Sequence, residues 1–264
     1  MTHPCIARIE RLTLNVRDLD RAVGFYVDAL GFSLEAATTD RARLVLGSEK
    51  IELVRRPDAA PYPRPRAAND PWFQHFAIAV ADMDAAYDRL SRFSPERITR
   101  GGPQLLPPST GSVTAYKFRD PDGHPLELSH APASGWASTA LANPNALFLG
   151  IDHTALAASD LEQSIAFYTD RGFHVGARLL NQGPEQARLD GLDGATLDIV
   201  TLLTPEAGPH VELLHYRRPT PPAARVWELD AIAATQTTLA LLGDGEIDRC
   251  EPDPDGHLMR FTAR

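Results

Sequence analysis

Apolar and polar residues alternate along IERLTLNV, residues 9–16, and the spacing then turns helical along DLDRAVGFY, residues 18–26. A period of two marks a half-buried strand, and apolar positions three and four apart mark an amphipathic helix. Asp18 stands at the switch, where an N-cap side chain would accept the free amides of the first turn. Gly31-Phe32 stops the helix, and SLEAAT, ARLVLG and IELVRR follow as strand-like runs. Residues 8–56 therefore read as one βαβββ unit.

The pattern recurs. IDHTALAASDLEQSIAFY, residues 151–168, lies over residues 9–26 at a constant offset of 142, with Ile, Leu, Asp, Leu, Phe and Tyr identical, and runs on to Gly172-Phe173. HFAIAVADMDAAYDRL aligns with residues 11–26 at an offset of 64, pairing Val80 with Val16, Asp82 with Asp18, Asp84 with Asp20 and Ala86 with Ala22. Recurrence at a fixed offset is the mark of repeated supersecondary units. The second unit, residues 72–130, continues through a Gly/Pro-rich stretch to VTAYKFRD and HPLELSH, and the third, residues 150–217, through EQARLDGL, TLDIVTLL and HVELLHY. A fourth, residues 230–264, is cut short: QTTLAL resembles HFAIAV and DPDGH at 253–257 repeats DPDGH at 120–124. His75 to Glu127 spans 52 residues but Gln236 to Arg260 only 24, so 28 residues are missing, the helix and a strand being replaced by GDGE.

The units group into an N-terminal domain, 1–132, and a C-terminal domain, 150–264, joined by an Ala/Ser/Pro-rich linker over 133–149. PDAAPYPRPRAANDP, residues 57–71, is a second proline-rich loop.

Composition narrows the function. With 43% hydrophobic residues, the chain can bury real cores over its 264 residues. No run approaches the ~20 apolar residues of a membrane span, and MTHPCIARIER lacks a signal-peptide core, so the expected compartment is the cytoplasm. The net charge of −9 and the lack of a basic run argue against nucleic acid and for a small-molecule partner. Two cysteines, Cys5 and Cys250, read as reduced bystanders.

Four units in this order, a first strand bearing His75 or His153, DLxxAxxFY on the helix and DPDGHPLEL on the last hairpin resemble the vicinal oxygen chelate superfamily. That superfamily includes glyoxalase I, extradiol ring-cleaving dioxygenases and bleomycin-resistance-type binding proteins. The resemblance covers about residues 8–132 and 150–264. It implies an α+β fold of four βαβββ repeats, the fourth truncated and without its helix. These form mixed, strongly curved sheets that make two cup-like half-barrels.

It also implies metal ligands at two points of each unit. The first-strand positions are Arg11, His75, His153 and Gln236; the last-strand positions are Glu52, Glu127, Glu212 and Arg260. If unit one pairs with two, a triad of Glu52, His75 and Glu127 is possible. If two pairs with three, the inner cup holds His75, Glu127, His153 and Glu212. The outer cup then holds Arg11, Glu52, Gln236 and Arg260, whose guanidiniums oppose a cation. Decay of both outer units suits the second pairing.

Two imidazoles and two carboxylates neutralise a divalent ion and leave positions for a chelating substrate. The expected ion is nickel, zinc, manganese or iron. The favoured activity is a glyoxalase-type isomerase or lyase acting through a metal-stabilised enediolate, with Glu127 or Glu212 as base. A ring-cleaving dioxygenase using iron and O₂, or a non-catalytic binding (resistance) protein, is the alternative. Gln236 and Arg260 stand where the dioxygenase pattern has ligands. The molecule is expected to be a monomer or homodimer.

Other singled-out residues have plainer roles. Phe25-Tyr26 and Phe167-Tyr168 read as helix core, His124 and His257 as hairpin residues, and Arg11 and Arg260 as ion-paired. His130 and His215, three residues past the glutamates, fall on the opposite strand face. His210 shares the face of Glu212 and is a weak candidate for lining the cup. Trp72-Phe73-Gln74 and residues 181–190 are candidate wall elements.

Overall fold

The computed structural model describes residues 5–132, 134–222, 228–242 and 248–263. The first segment runs β1 (Ile6–Val16), α1 (Leu19–Asp28), β2 (Ser33–Ala37), β3 (Arg41–Leu46), β4 (Glu49–Arg55). The second runs β5 (Gln74–Val80), α2 (Met83–Ser91), β6 (Glu96–Arg97), β7 (Gln104–Leu105), β8 (Thr114–Arg119), β9 (Pro125–His130). Within the connecting stretch lies α3 (Trp136–Ala142). The third segment runs β10 (Phe148–Ala157), α4 (Leu161–Thr169), β11 (His174–Gln182), α5 (Pro184–Leu189), β12 (Thr196–Leu203), β13 (His210–Arg218). The last runs β14 (Gln236–Leu241), β15 (Asp248–Pro252), β16 (Leu258–Thr262). The fold is mixed α+β, mostly sheet with few helices. Among the described residues no helix is long and apolar enough to cross a membrane.

The caps act where the sequence puts them. Asp18, Asp82 and Asp160 each accept a hydrogen bond at 3.0 Å from the third residue onward, the amides of Arg21, Ala85 and Gln163. One element departs from the sequence reading. EQARLDGL, expected as a strand, forms α5 and a turn. Gly183, at φ 101, breaks the strand and Pro184 occupies the first helical turn, so Glu185 to Leu189, good helix formers, wind up. His174–Gln182 supplies the strand instead. The GDGE segment lies outside the described residues.

Two open sheets result. One, ordered β15-β16-β14-β1-β4-β3-β2, combines the first and last segments; the other, β11-β12-β13-β10-β5-β9-β8-β6, combines the second and third. At the centre of the second sheet β5 and β10 run antiparallel, with Ala155 opposite His75. β5 is buried along its whole length. Phe76, Ile78 and Val80 join the core that also takes in Phe25 and Tyr26 of α1 and Ala86 of α2, leaving His75 and Ala77 on the other face.

The two DPDGH turns hold consecutive segments together in the same way. Asp120 Oδ1 accepts the amides of Asp122, Gly123 and His124, and its Oδ2 accepts the Tyr26 hydroxyl at 2.9 Å. Asp253 Oδ1 accepts the amides of Asp255 and His257, and its Oδ2 accepts the Tyr168 hydroxyl at 2.9 Å. His124 Nε2 meets Asn15 O at 2.8 Å and His257 Nε2 meets Ala157 O at 2.9 Å. Gly123 and Gly256 take φ of 99° and 95°, a conformation the tight turn requires. These histidines are turn anchors, and both tyrosines add a buried hydrogen bond to their packing.

Candidate metal centre

Two neighbouring rows of side chains cross the β5–β10 sheet. β8 pairs antiparallel with β9, setting Lys117 opposite Glu127, and β9 pairs parallel with β5, setting Glu127 beside Ala77. Across the β5–β10 seam, His153 lies opposite Ala77 and His75 opposite Ala155. β13 then brings Glu212 beside Ala155, and β12 sets Thr201 opposite Glu212.

His75, Glu127 and His153 meet: one ligand atom from each lies within 4.8 Å of the others, and all three residues are buried. His75 Nε2 is 3.3 Å from Glu127 Oε2, and the two imidazole centroids are 5.6 Å apart. Glu212 lies outside that triad but touches it, its Oε2 3.6 Å from His153 Nε2. His210 stands behind it, Nε2 3.6 Å from Glu212 Oε1 and its ring 5.2 Å from that of His153.

Two further residues complete the surroundings, and the repeat pattern points to neither of them. Asp152 precedes His153, so strict alternation would turn it away. The register jumps between Ile151 and His153, a bulge that brings the Asp152 carboxylate to His153 Nδ1 at 2.9 Å. A ligating imidazole is oriented in this way: Nδ1–H donates to a carboxylate and Nε2 is left free. Trp136 of α3 donates its Nε1–H to the same aspartate. The first segment repeats the bulge between Ile9 and Arg11.

Lys117 is the second. Its Nζ lies 2.7 Å from Asp190 and 3.7 Å from Glu127 Oε2. Gln186 donates to the other Asp190 oxygen at 2.7 Å, and Asn181 donates to Gln186 at 3.0 Å. The stretch 181–190, the end of β11 and α5, thus closes against the second segment, where Thr99 Oγ1 also donates to Leu189 O at 2.9 Å. The hairpin arithmetic could have found Lys117: from the tight turn, Arg119 opposite Pro125 leads directly to Lys117 opposite Glu127.

The electrostatics favour a cation. Burial lowers the basicity of His75 below the ordinary imidazole value, so it is neutral. Burial would do the same to His153, but Glu212 and Asp152 hold it up to about 9. Burial works against the Glu212 charge, yet His153 and His210 keep its carboxyl down at about 2. Glu127 is likewise held low against burial, by His75 and Lys117. His75 Nδ1, His75 Nε2 and His153 Nε2 are buried with no aligned hydrogen-bond partner. Orphaned buried polar atoms are costly. A divalent ion among these nitrogens and carboxylates would satisfy the Nε2 atoms, and the donor set fits one.

The equivalent positions of the other sheet are filled by ion pairs. Arg41 reaches Glu52 at 3.0 Å, with Arg11 Nε at 4.0 Å, and Arg260 makes a two-pronged pair with Asp248 at 2.8 and 2.6 Å. Gln236 lies in register with Thr13. His130 Nδ1 meets Val80 O and His215 Nδ1 meets Ala158 O, both at 3.0 Å. Cys5 and Cys250 are exposed free thiols.

A family model described as Glyoxalase/Bleomycin resistance protein/Dioxygenase superfamily matches residues 8–128 and 150–259. The glutathione transferase FosA of Serratia marcescens is 31% identical over 120 residues, 46% of this chain and 78% of that protein. The catechol-2,3-dioxygenase of Bacillus subtilis is 26% identical over 192 residues, 61% of this chain and 64% of that one. Glyoxalase I from Zea mays superposes with a TM-score of 0.62 at 18% identity, covering 97% of this chain and 92% of the maize protein, a likeness of fold.

Proposed function

The chain belongs to the Glyoxalase/Bleomycin resistance protein/Dioxygenase superfamily, and we propose that it is a metal-dependent enzyme whose ion is held by His75, Glu127 and His153, with Glu212 beside them. The observation that carries this reading is the convergence of two buried imidazoles with unpartnered nitrogens on two carboxylates. When bound, a nickel, zinc, manganese or iron ion supplies Lewis-acid polarisation of a chelated substrate oxygen.

The protein groups do the rest. Asp152 fixes His153 through Nδ1, and His75 stays neutral by burial. A carboxylate, Glu127 or Glu212, takes the proton from the carbon next to a polarised carbonyl and returns it to the neighbouring carbon, the glyoxalase type of isomerisation. No atom is gained or lost. Phe73, whose ring lies 5.5 Å from that of His75, belongs to a buried apolar cluster with Ala155, Leu197, Leu214 and Tyr216.

A second reading rests on the closeness of the triad itself. Two histidines and one carboxylate within 4.8 Å are the donor set of non-haem iron oxygenases, and a catechol dioxygenase is among the relatives. Elemental analysis and oxygen uptake separate the two. The first reading expects a stoichiometric ion, lost in both His75→Ala and His153→Ala, and no oxygen uptake with catechol. Bound iron with catechol-dependent oxygen uptake selects the second. An ion retained in His153→Ala would sink both.

A further inference from the structure

By position in the repeat, Glu127 and Glu212 are equivalents, and so are His75 and His153. Their cross-strand neighbours differ: Lys117 faces Glu127, whereas Thr201 faces Glu212. Resting on the metal reading above, we propose that Lys117 is a positioning residue that makes Glu127 the permanent ligand and leaves Glu212 as the carboxylate that meets substrate.

Glu127 is enclosed. Its Oε2 lies between His75 Nε2 at 3.3 Å and the Lys117 ammonium at 3.7 Å, and its side chain is 9% exposed. Any swing out of the triad would separate two charges in a site that water scarcely reaches, where attraction is strong. Lys117 cannot follow it, because Asp190, itself fully buried, holds the ammonium at 2.7 Å. Glu212 has no lysine against it; its contacts are His153 and His210, each at 3.6 Å. Thr201 offers no charge, the Glu212 side chain is 21% exposed, and its second oxygen already turns toward His210, which borders a cavity of about 440 Å³ shared with Trp136 and Asp152. The triad that closes within 4.8 Å contains Glu127 and omits Glu212.

The test is titration of Mn²⁺ into the chelator-stripped full chain, followed calorimetrically. Glu127→Gln is expected to weaken Mn²⁺ binding by more than about 100-fold, beyond what outer-sphere changes cause, and Glu212→Gln by less than about 10-fold. Repeating both substitutions on Lys117→Gln asks whether the lysine creates the difference. The gap between the glutamates is then expected to close to within about 3-fold. A lysine with a merely structural role would leave that gap unchanged. Should Lys117→Gln fail to fold with Asp190 left unpaired, the Lys117→Gln/Asp190→Asn pair carries the comparison. Equal losses in the parent, or a gap that survives in both lysine backgrounds, overturn the division of labour alone. A parent chain that binds no Mn²⁺, Zn²⁺, Ni²⁺ or Fe²⁺ overturns the metal reading with it.

Discussion

Titrating a divalent ion into chelator-treated protein at several pH values tests the proposed centre through His153. In the ion-free protein, burial opposes the imidazolium but Glu212 and Asp152 hold its pKa at about 9. A ligating imidazole must be neutral, so that proton has to leave as the ion enters. At pH 7, about 2 units below the pKa, deprotonation costs roughly 2.7 kcal/mol, on the order of a 100-fold loss of apparent affinity. His75, whose pKa burial has already lowered, adds nothing. The apparent affinity should therefore climb about tenfold per pH unit from 7 to roughly 9 and then flatten. Calorimetry at pH 7 in two buffers of different ionisation heat should count about one proton released per ion. An affinity flat from pH 7 to 9, or no proton released, would refute the reasoning.

Three further outcomes are expected, two at the same centre and one at the DPDGH turns. For the ion-free protein, a His153 pKa raised above its unfolded value contributes stability that is fully present below about pH 6.5; it is lost as pH rises through about 9, so the thermal midpoint of chelated protein should fall across that window, and a constant midpoint would contradict the assignment. Asp152→Asn keeps a hydrogen-bond partner for His153 but removes its charge; metal affinity should drop about 10- to 100-fold in a metal titration, with no drop ruling out its orienting role. Tyr26→Phe and Tyr168→Phe each delete one buried hydrogen bond to an aspartate and should each cost about 1.5–3 kcal/mol in denaturant unfolding; losses below about 0.5 kcal/mol would show that packing alone matters there.

Strand and helix positions were legible wherever local chemistry decides them. Asp18, Asp82 and Asp160 announce their helices because a carboxylate before a helical spacing has free amides to cap. The DPDGH turns fix the register of β8 with β9, and with it the place of Lys117. α5 was illegible from alternation because Gly183 and Pro184 override it, and a run such as EQARL suits a helix as well as a strand. The meeting of His75 and His153 could be argued from which segments had decayed, but the pairing itself is a long-range fact of β5 against β10. Asp152 was hidden for a sharper reason: a one-residue bulge reverses the face that alternation assigns.

The order of strands has a consequence for how the chain is made. β1 lies between β4, which soon follows it, and β14, which comes from the far end of the sequence. β5 likewise waits for β10. While the polypeptide is being synthesised, the earlier half presents two strand edges, on β1 and β5, whose final partners β14 and β10 come later. Exposed edges are templates for pairing with another chain. The later half of a neighbouring nascent chain carries the same complementary strands, so two copies synthesised close together can close each other's sheets and emerge interlocked. Protein yield and the fraction of exchanged dimer should thus depend on how densely ribosomes load the message, a property set by β14 and β10 arriving late.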